Sequence, residues 1–186
     1  PAGPAAVVSV DGVDYYMTET GRLASYDGST FTWVGDGVWP VVRAEIDAAY
    51  VNQSFGEYDP FNREIIFHYP RTGDAGELKG AVVLIPAKPA EGIEEVIAFP
   101  WRMGLAVSAG CEYRIAGVNK AVLCTSATPR AHYLEGQSDD GASFTGFLQP
   151  GLLPAPGDMP HRLDGVETLA LRGTGYGPLT VKPVSS

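Results

Sequence analysis

The sequence is short of positive charge, and this shortage narrows the functions open to it. Its 186 residues contain 13 Lys and Arg against 22 Asp and Glu, which gives a formal net charge of −9. Binding to nucleic acid through the phosphate backbone needs a basic face, so we expect no direct nucleic-acid binding. A local basic patch is still compatible with this composition. Its candidate members are Lys79, Lys88, Arg102, Arg114, Lys120 and Arg130.

Long apolar runs are also missing. No run approaches the roughly 18 apolar residues that a membrane span requires, so we expect no membrane insertion. The opening stretch, PAGPAAVV, has neither the basic start nor the apolar core of a secretory signal. The sequence does not begin with Met, which predicts that the chain is processed or is a piece of a longer polypeptide.

Histidines are few, and their spacing does not indicate a metal site. His68, His132 and His161 are the only three, and none lies in an H-x-x-x-H or H-E-x-x-H arrangement. A shared site would need a convergence of side chains that this spacing does not suggest. We interpret them as satisfied or exposed side chains, and we expect neither a metal nor another cofactor.

Cysteine is limited to Cys111 and Cys124, which flank the stretch CEYRIAGVNKAVLC. This stretch predicts a hairpin, and a turn centred on Gly117-Val118 places the two cysteines opposite each other. Residues opposite each other in an antiparallel pair have Cα atoms about 4.5 to 5.5 Å apart, which a disulfide could bridge. The alternative is a pair of small buried apolar residues, and we favour it for a protein assembled in a reducing cytoplasm.

The residue patterns of common catalytic sites are missing as well. The acidic pairs are Glu94-Glu95 and Asp139-Asp140. Neighbours on a strand point to opposite faces, so neither pair forms a catalytic dyad, and we interpret both as solvated turn charges. No serine lies in a G-x-S-x-G stretch. We therefore predict no catalytic residues and expect that the protein is not an enzyme.

Aromatic residues, by contrast, are plentiful on the predicted strands. Core packing is our interpretation for most of them, and a sugar-binding platform is the alternative. These aromatic residues are Tyr15, Tyr16, Phe31, Trp33, Trp39, Phe67, Tyr69 and Trp101.

The 23 Gly and 15 Pro residues are spread along the sequence, which favours many short strands. Asp11-Gly12 and Asp27-Gly28 separate apolar runs and predict hairpin turns, because Gly accepts a positive φ without a Cβ clash. The runs predict an antiparallel four-stranded meander of the size of one propeller blade. Its strands are Val7–Val10, Val13–Met17, Arg22–Tyr26 and Thr30–Val34.

After this meander, Val42–Asn52 is the one convincing helical segment, of about two turns or less. The run Glu64–Tyr69 is too apolar for strict alternation and predicts a strand buried on both faces. Shorter apolar runs between Gly- and Pro-rich turns predict the remaining strands. These strands begin near Ser54 and continue at 63–69, 80–86, 95–99, 104–108, 112–115, 120–125, 130–134, 143–148, 162–172 and 178–183.

A short pattern, S-x-D-G-x-[ST]-F-T, occurs twice, at Ser25–Thr32 and Ser138–Thr145. It resembles the Asp-box hairpin of sialidase-like propellers, but the Gly is displaced by one place, so it supports a blade corner and no glycosidase activity. Units recur about every 45 to 55 residues, a period typical of propellers. We predict an all-β fold with antiparallel four-stranded blade-like units, a partial or complete β-propeller, over residues 1–136. A small C-terminal β module follows over residues 137–186, and a β-sandwich is the alternative fold.

The run Phe61–Pro70 resembles a signature of virion proteins of tailed bacteriophages, N-x-E-[apolar]-x-F-x-Y-P. Met17, Gly21 and Tyr26-Asp27-Gly28 precede it in the order and at a distance similar to those of that family. The C-terminal half is also similar, with Glu135-Gly136, a strand ending in Gly-Phe-Leu, and a G-P-L-T-V ending. Two features depart from the family: an Ile pair replaces the aromatic pair before F-x-Y-P, and GAVVLIP replaces a strand that usually carries Trp.

The resemblance implies a β-propeller protein of the phage tail or head–tail junction, without enzymatic activity. It implies a virion location after assembly in the host cytoplasm, contacts with other virion proteins, and multiple copies that form a homo-oligomer. The alternatives are a carbohydrate- or receptor-binding β module and a glycoside-processing propeller. Two carboxylates facing each other in a central funnel, about 5 to 10 Å apart, would indicate the enzyme.

Overall fold

The structure is a computed structural model, and it describes residues 1–88, 95–125 and 130–133. All of these residues belong to the compact unit Pro1–Glu135. Several predictions lie outside the described residues: the C-terminal β module at 137–186, its three strands, and the second copy of the hairpin pattern. The same holds for His161, Glu94, Asp139 and Asp140.

Four short strands form the first sheet, and each pairs with the next in antiparallel fashion. The predicted four-stranded meander is therefore confirmed. Its strands are β1 (Val7–Val10), β2 (Val13–Met17), β3 (Leu23–Tyr26) and β4 (Phe31–Val34).

Local turn chemistry explains the two predicted hairpin turns of this sheet. Asp11 and Gly12 have φ angles of 51° and 81°, as a two-residue type I′ turn requires. In the β3–β4 turn, the Asp27 carboxylate accepts hydrogen bonds from the backbone N–H groups of Ser29 and Thr30, 2.9 and 2.7 Å away. These donors hold the pKa of Asp27 below its usual value, because they stabilise the ionised carboxylate.

The helix α1 spans Trp39–Glu45 and is seven residues long, so the predicted length of two turns or less is confirmed. The predicted span Val42–Asn52 is wrong. Pro40 lies at the start of the helix, where its fixed φ favours the first turn. The helix ends at Glu45 because Ile46 turns into an extended conformation and pairs with Arg71. A short 3-10 helix follows at Val51–Gln53.

Six strands form the second sheet in the order β10-β9-β8-β7-β6-β5. The fold is all-β, as predicted, but the prediction of further four-stranded blade-like units after the first is wrong, since the described strands after residue 54 belong to this one sheet. Within the described ranges no closed propeller is present. The six strands are β5 (Phe55–Asp59), β6 (Glu64–Tyr69), β7 (Leu78–Ile85), β8 (Ile97–Ile115), β9 (Val118–Thr125) and β10 (Arg130–Tyr133).

Strand β8 corrects the prediction of three separate strands between residues 95 and 115. It is a single strand of 19 residues. Its first half pairs with β7 from Ile97 to Arg102, and β7 pairs with it again at Val107 after a register shift. Its second half pairs with β9 from Val107 onward. The strand continues through Gly104 and Gly110 because each half has a partner, so these glycines do not end it.

The main core lies between the two sheets. Inward-facing residues of the first sheet and helix α1 pack against alternate residues of β6 and β7, and this layering matches the sandwich alternative. The prediction for β6 is confirmed, since its last five residues are buried. Burying one such side chain fully contributes about 1.5–3 kcal/mol. The core includes Val8, Tyr15, Met17, Leu23, Val34, Val42, Ile65, Phe67, Tyr69, Val82 and Leu84.

The second sheet curls, so that β5 approaches β8 and β9 on the side away from the first sheet. Phe55 of β5 packs there with Leu78, Val107 and Leu123. This second, smaller core places the side chains of β5 against the inner surface of β8. It positions one of the two candidate sites described below.

The fold makes a prediction about alkaline stability through Tyr69, which is 1% exposed. Burial, and then the charge of Glu45, raises the pKa of Tyr69 from 10.0 to about 12. Between these values the unfolded chain loses the proton first, so we expect the free energy of unfolding to fall as pH rises. The expected slope is about 1.4 kcal/mol per pH unit. Urea unfolding from pH 9 to 12 measures the slope, and Tyr69→Phe should reduce it.

Candidate functional site

Exposed aromatic rings cover the outer side of the first sheet, and we call Tyr16, Tyr26, Phe31 and Trp33 the aromatic face. The register places Tyr16 and Trp33 on either side of Ala24, and Tyr26 opposite Phe31. The ring centroids of Phe31 and Trp33 are 4.8 Å apart in an edge-to-face arrangement, and those of Tyr16 and Phe31 are 5.9 Å apart. Phe31 is 47% exposed and Trp33 is 41% exposed.

The prediction that core packing explains most strand aromatics is wrong. Tyr15, Phe67 and Tyr69 are buried, whereas Phe31, Trp33 and Trp101 are exposed. Strand alternation explains the difference, because successive residues point to opposite faces and only one face of the first sheet meets the core. Alternation of Trp33 with the buried Val34 was the signal in the sequence for this outer position.

Arg22 packs against the aromatic face at Trp33. Its guanidinium carbon lies 4.1 Å from the ring centroid of Trp33 and 5.1 Å from that of Trp39. Its Nε and Nη2 atoms donate to the carboxylate of Asp36 at 3.1 Å. The cation therefore joins β4 to the start of helix α1 and fixes the orientation of the Trp33 ring. Arg43 lies over the other side of this corner, 5.2 Å from the Trp39 ring.

We expect Arg22→Met to lower the free energy of unfolding by about 1 kcal/mol, since an exposed cation–π contact contributes about 0.5–1 kcal/mol and a surface ion pair about 0–1 kcal/mol. Tryptophan emission should also change, because the cation over Trp33 is removed. Urea unfolding followed by fluorescence measures both effects. Arg43→Met is the control and should cost less, since that residue has one longer ring contact; equal costs would contradict the role of Arg22.

A buried histidine and glutamate form the second candidate site, and we call Glu57 and His68 the buried pair. His68 Nε2 and Glu57 Oε1 are 2.8 Å apart, and the two side chains are 0% and 4% exposed. The His68 ring stacks on Phe55 with centroids 4.7 Å apart. The pair lies inside the curl of the second sheet, where neighbouring β5 and β6 bring together residues 11 positions apart.

The burial of Glu57 and His68 indicates a structural role for their contact. An acid or base catalyst must come within hydrogen-bond reach of its substrate, and these side chains have almost no exposed surface. Among the described residues, His68 Nδ1 and Glu57 Oε2 have no hydrogen-bond partner. The prediction that the histidines are hydrogen-bonded or exposed is therefore confirmed for His68 at Nε2 and not at Nδ1. The sequence pattern missed Glu57, which the register of the β5–β6 hairpin could have indicated.

Glu57 extends from β5 to the backbone of β8. A Cβ atom placed on Gly110 would lie 2.0 Å from Glu57 Oε2 and 3.1 Å from Phe55 Cε2. With Glu57 in this position, only a residue without a side chain fits at position 110. The carboxylate therefore packs directly against β8 at the point where β8 pairs with β9.

Two further carboxylates face each other across the β5–β6 hairpin, Asp59 and Glu64. Both oxygens of Asp59 are used, since Oδ1 accepts from Phe61 N–H at 3.0 Å and Oδ2 from Asn62 Nδ2 at 2.7 Å. Burial, and then the charge of Asp59, raises the pKa of Glu64. Asp59 stabilises the turn, which is the structural role of Asp in such positions.

The cysteines do not lie opposite each other, which corrects one prediction. Cys111 pairs with Val122 and Cys124 pairs with Ala109. The turn consists of Ala116 and Gly117, one residue earlier than predicted, and this shift moves the register. Both cysteines are free, and Cys111 is exposed, so the alternative of two buried residues is wrong as well.

The remaining candidates are distributed over several elements. His132 is half-buried on β10, opposite Leu123, and Glu95 is exposed. The basic candidates contact different partners: Lys79 pairs with Glu77, Arg102 pairs with Glu45, Lys120 lies over the Phe61 ring, and Arg114 Nε donates to the Gly117 carbonyl.

Within the described residues, no three His, Cys, Asp or Glu side chains lie close enough together to hold a metal ion. The described helices are also too short to cross a membrane. No model of a known protein family matches the chain, and no curated protein matches it either. The geometry and the sequence motifs are therefore the basis for assigning a function.

Proposed function

We propose that this chain is a non-enzymatic structural component of a tailed-phage virion, placed in the tail or at the head–tail junction. It acts in multiple copies through contacts with other virion proteins and is assembled in the host cytoplasm. The resemblance of Phe61–Pro70 and Met17–Gly28 to phage virion proteins supports the proposal. These segments supply core residues such as Phe67, Tyr69 and Leu23, so the shared motif is one that builds a fold.

The observation that carries the proposal is the amount of large apolar surface left exposed. On the aromatic face, Phe31 and Trp33 are 47% and 41% exposed, and on β8, Ile97 is 51% exposed. Contiguous exposed apolar patches of this kind mark surfaces that bind other proteins. A body with such surfaces on both sheets suits a protein that contacts several neighbours at once.

The β8–β9 hairpin adds a second kind of contact surface. Beyond Gly110 most of its residues are exposed, and Tyr113 near the tip is 65% exposed. A two-stranded hairpin alone is marginally stable in water. Docking on a neighbouring protein would cover this hairpin and stabilise it.

The finer fold assignment is part of the proposal. The first sheet has the four strands in sequential antiparallel order that a propeller blade has. We propose that it is a blade-like unit and that further blades come from other copies or from further chain. The six-stranded second sheet is the layer on which this unit packs.

Particle composition tests the proposal. We expect mass spectrometry of purified virions from the phage that encodes this chain to find it in multiple copies, and immunogold labelling to place it on the tail or at the neck. A non-structural protein of the same phage is the control and should be absent. If the chain is absent from particles that retain infectivity, the virion role is wrong.

A carbohydrate- or receptor-binding module is the second candidate, and the aromatic face favours it. Exposed aromatic rings beside charged side chains such as Arg22 and Asp36 can stack on sugar rings and bond their hydroxyls. Binding to a glycan array, lost in Trp33→Ala, would favour this function. Turnover of a bound glycan would favour the glycoside-processing alternative.

A further inference from the structure

Strand β4 is the last strand of the first sheet, and the hairpin register shows which of its backbone groups face outward. Asp27 N–H donates to the Thr30 carbonyl at 3.3 Å, so residues 27 and 30 form a hydrogen-bonded pair. Such pairs alternate along an antiparallel ladder. Thr32 and Val34 therefore bond to β3, and the N–H and C=O groups of Phe31 and Trp33 point away from the sheet.

The two edges of the first sheet differ. At the β1 edge, β5 lies close to β1, and Gly56 N–H donates to the Ala5 carbonyl at 2.9 Å. At the β4 edge, no described backbone group bonds to Phe31 or Trp33 from outside the sheet. An open cleft of about 620 Å³ adjoins β4, and its lining includes Thr32, Trp33 and Val34 as well as Glu95, Val96 and Ala98. Among the described residues, the β4 edge is therefore the one without a hydrogen-bonded neighbour.

Strand β4 is short, at four residues, but it lacks other features that normally protect an edge. Natural edge strands carry charges, prolines or bulges that prevent pairing with another chain. The stretch 28–35, GSTFTWVG, contains no charged residue and no proline, and β4 pairs with β3 without a register shift. In a chain with a net charge of −9, an uncharged edge with open backbone groups is suited to strand addition.

We propose that β4 pairs in antiparallel fashion with β4 of a second copy, which joins two first sheets into one symmetric eight-stranded sheet. This inference rests on the proposed function and names one of its contacts. Pairing about Thr32 sets Phe31 of one copy opposite Trp33 of the other, so both outward-facing residues complete their hydrogen bonds. A two-fold axis requires such a self-complementary patch.

The side chains of β4 favour a second copy over another partner. In this register Phe31 and Trp33 of the two copies form cross-strand aromatic pairs on the outer side, which stabilise sheets. Strand β4 has no charged side chain, so pairing of β4 with β4 sets no like charges opposite each other within the strands, despite the acidic composition of the whole chain.

Disulfide trapping tests the register. In a chain carrying Cys111→Ser and Cys124→Ser, we expect Thr32→Cys to give a covalent dimer under mild oxidation. The two Thr32 positions form a non-hydrogen-bonded pair with Cα atoms about 4.5 Å apart, which a disulfide can span. Ser29→Cys is the matched control on the same hairpin, and it should stay monomeric because Ser29 lies in the β3–β4 turn, outside the strand that pairs. Equal cross-linking of both variants, or none, overturns the inference.

Light scattering coupled to size exclusion tests the same contact without a cross-link. We expect the wild-type chain to dimerise and Trp33→Lys to weaken dimerisation at least tenfold, with circular dichroism confirming that the variant folds. Tyr26→Lys is the control, since Tyr26 lies on the aromatic face but not on the edge strand. A monomeric wild type, or equal weakening by Tyr26→Lys, overturns edge pairing.

These outcomes separate the edge contact from the proposed function. A chain found in virions that gives no Thr32→Cys cross-link retains its virion role and has no β4 pairing. A chain that cross-links but is absent from virions keeps the dimer contact and loses the virion role.

Discussion

Replacing Gly110 with Ala should destabilise the protein by about 3 kcal/mol, since overpacking a core costs about 1–3 kcal/mol and disrupting a buried ionisable pair about 3–5 kcal/mol. The new Cβ would lie 2.0 Å from Glu57 Oε2 and 2.7 Å from Glu57 Cδ. Glu57 Oε1 lies 2.8 Å from His68 Nε2, so displacing the Glu57 carboxylate would disturb this contact. Urea unfolding followed by circular dichroism measures the change in the free energy of unfolding.

Gly37→Ala is the control for this substitution. A Cβ at Gly37 would meet no atom within 4 Å, and its φ is not in the left-handed region, so its cost should stay within about 0.5 kcal/mol. Combining Gly110→Ala with Glu57→Ala should cost less than the sum of the two, because the second change removes the atoms in conflict. Additive costs would contradict the clash as the cause.

Removing one member of the buried pair should have the other large effect. We expect His68→Leu to cost about 3–5 kcal/mol, because it leaves the Glu57 carboxylate buried without its partner. Glu57→Met should cost about 1–3 kcal/mol, since it leaves a buried imidazole unbonded. The double substitution Glu57→Met with His68→Leu should cost less than the sum, because two apolar side chains fit the interior around Phe55.

A double-mutant cycle from urea unfolding gives the coupling energy of the buried pair. We expect a coupling energy of about 1–3 kcal/mol, with the double substitution costing less than the sum of the two single substitutions. His132→Leu is the control, since this histidine is half-buried on β10, and it should have a small effect. A coupling near zero would show that the 2.8 Å contact contributes nothing to stability.

Features that depend on neighbouring residues could be predicted from the sequence. Asp11-Gly12 and Asp27-Gly28 form turns because their own backbone preferences and side chains favour them. Strand β6 could be predicted as buried on both faces because its apolar run exceeds what alternation allows. The predicted hairpin turn was wrong by one residue, since Ala116 and Gly117 form the turn and Ala gives no strong signal for a positive φ. Cys111 therefore lies opposite Val122, two residues before Cys124.

Features that depend on distant partners could not be predicted. The continuity of β8 depends on β7 and β9, which pair with its two halves. Glycines within a strand indicate a break when the sequence is considered alone, but Gly110 is required by Glu57 of β5. The buried pair likewise exists only because β5 and β6 are neighbours and β5 faces β8 across the curl of the second sheet.

By itself, the sequence determined the all-β class, the four-stranded first sheet and its two Asp-Gly turns, because periodicity and turn chemistry act within a few residues. Only the tertiary structure decided that the later strands form one curled sheet, that Glu57 and His68 meet, and that no other described strand pairs with the β4 edge. These outcomes depend on which surfaces meet when the chain collapses. The hydrophobic effect that drives the collapse is non-directional, so the local sequence pattern does not specify which surfaces meet.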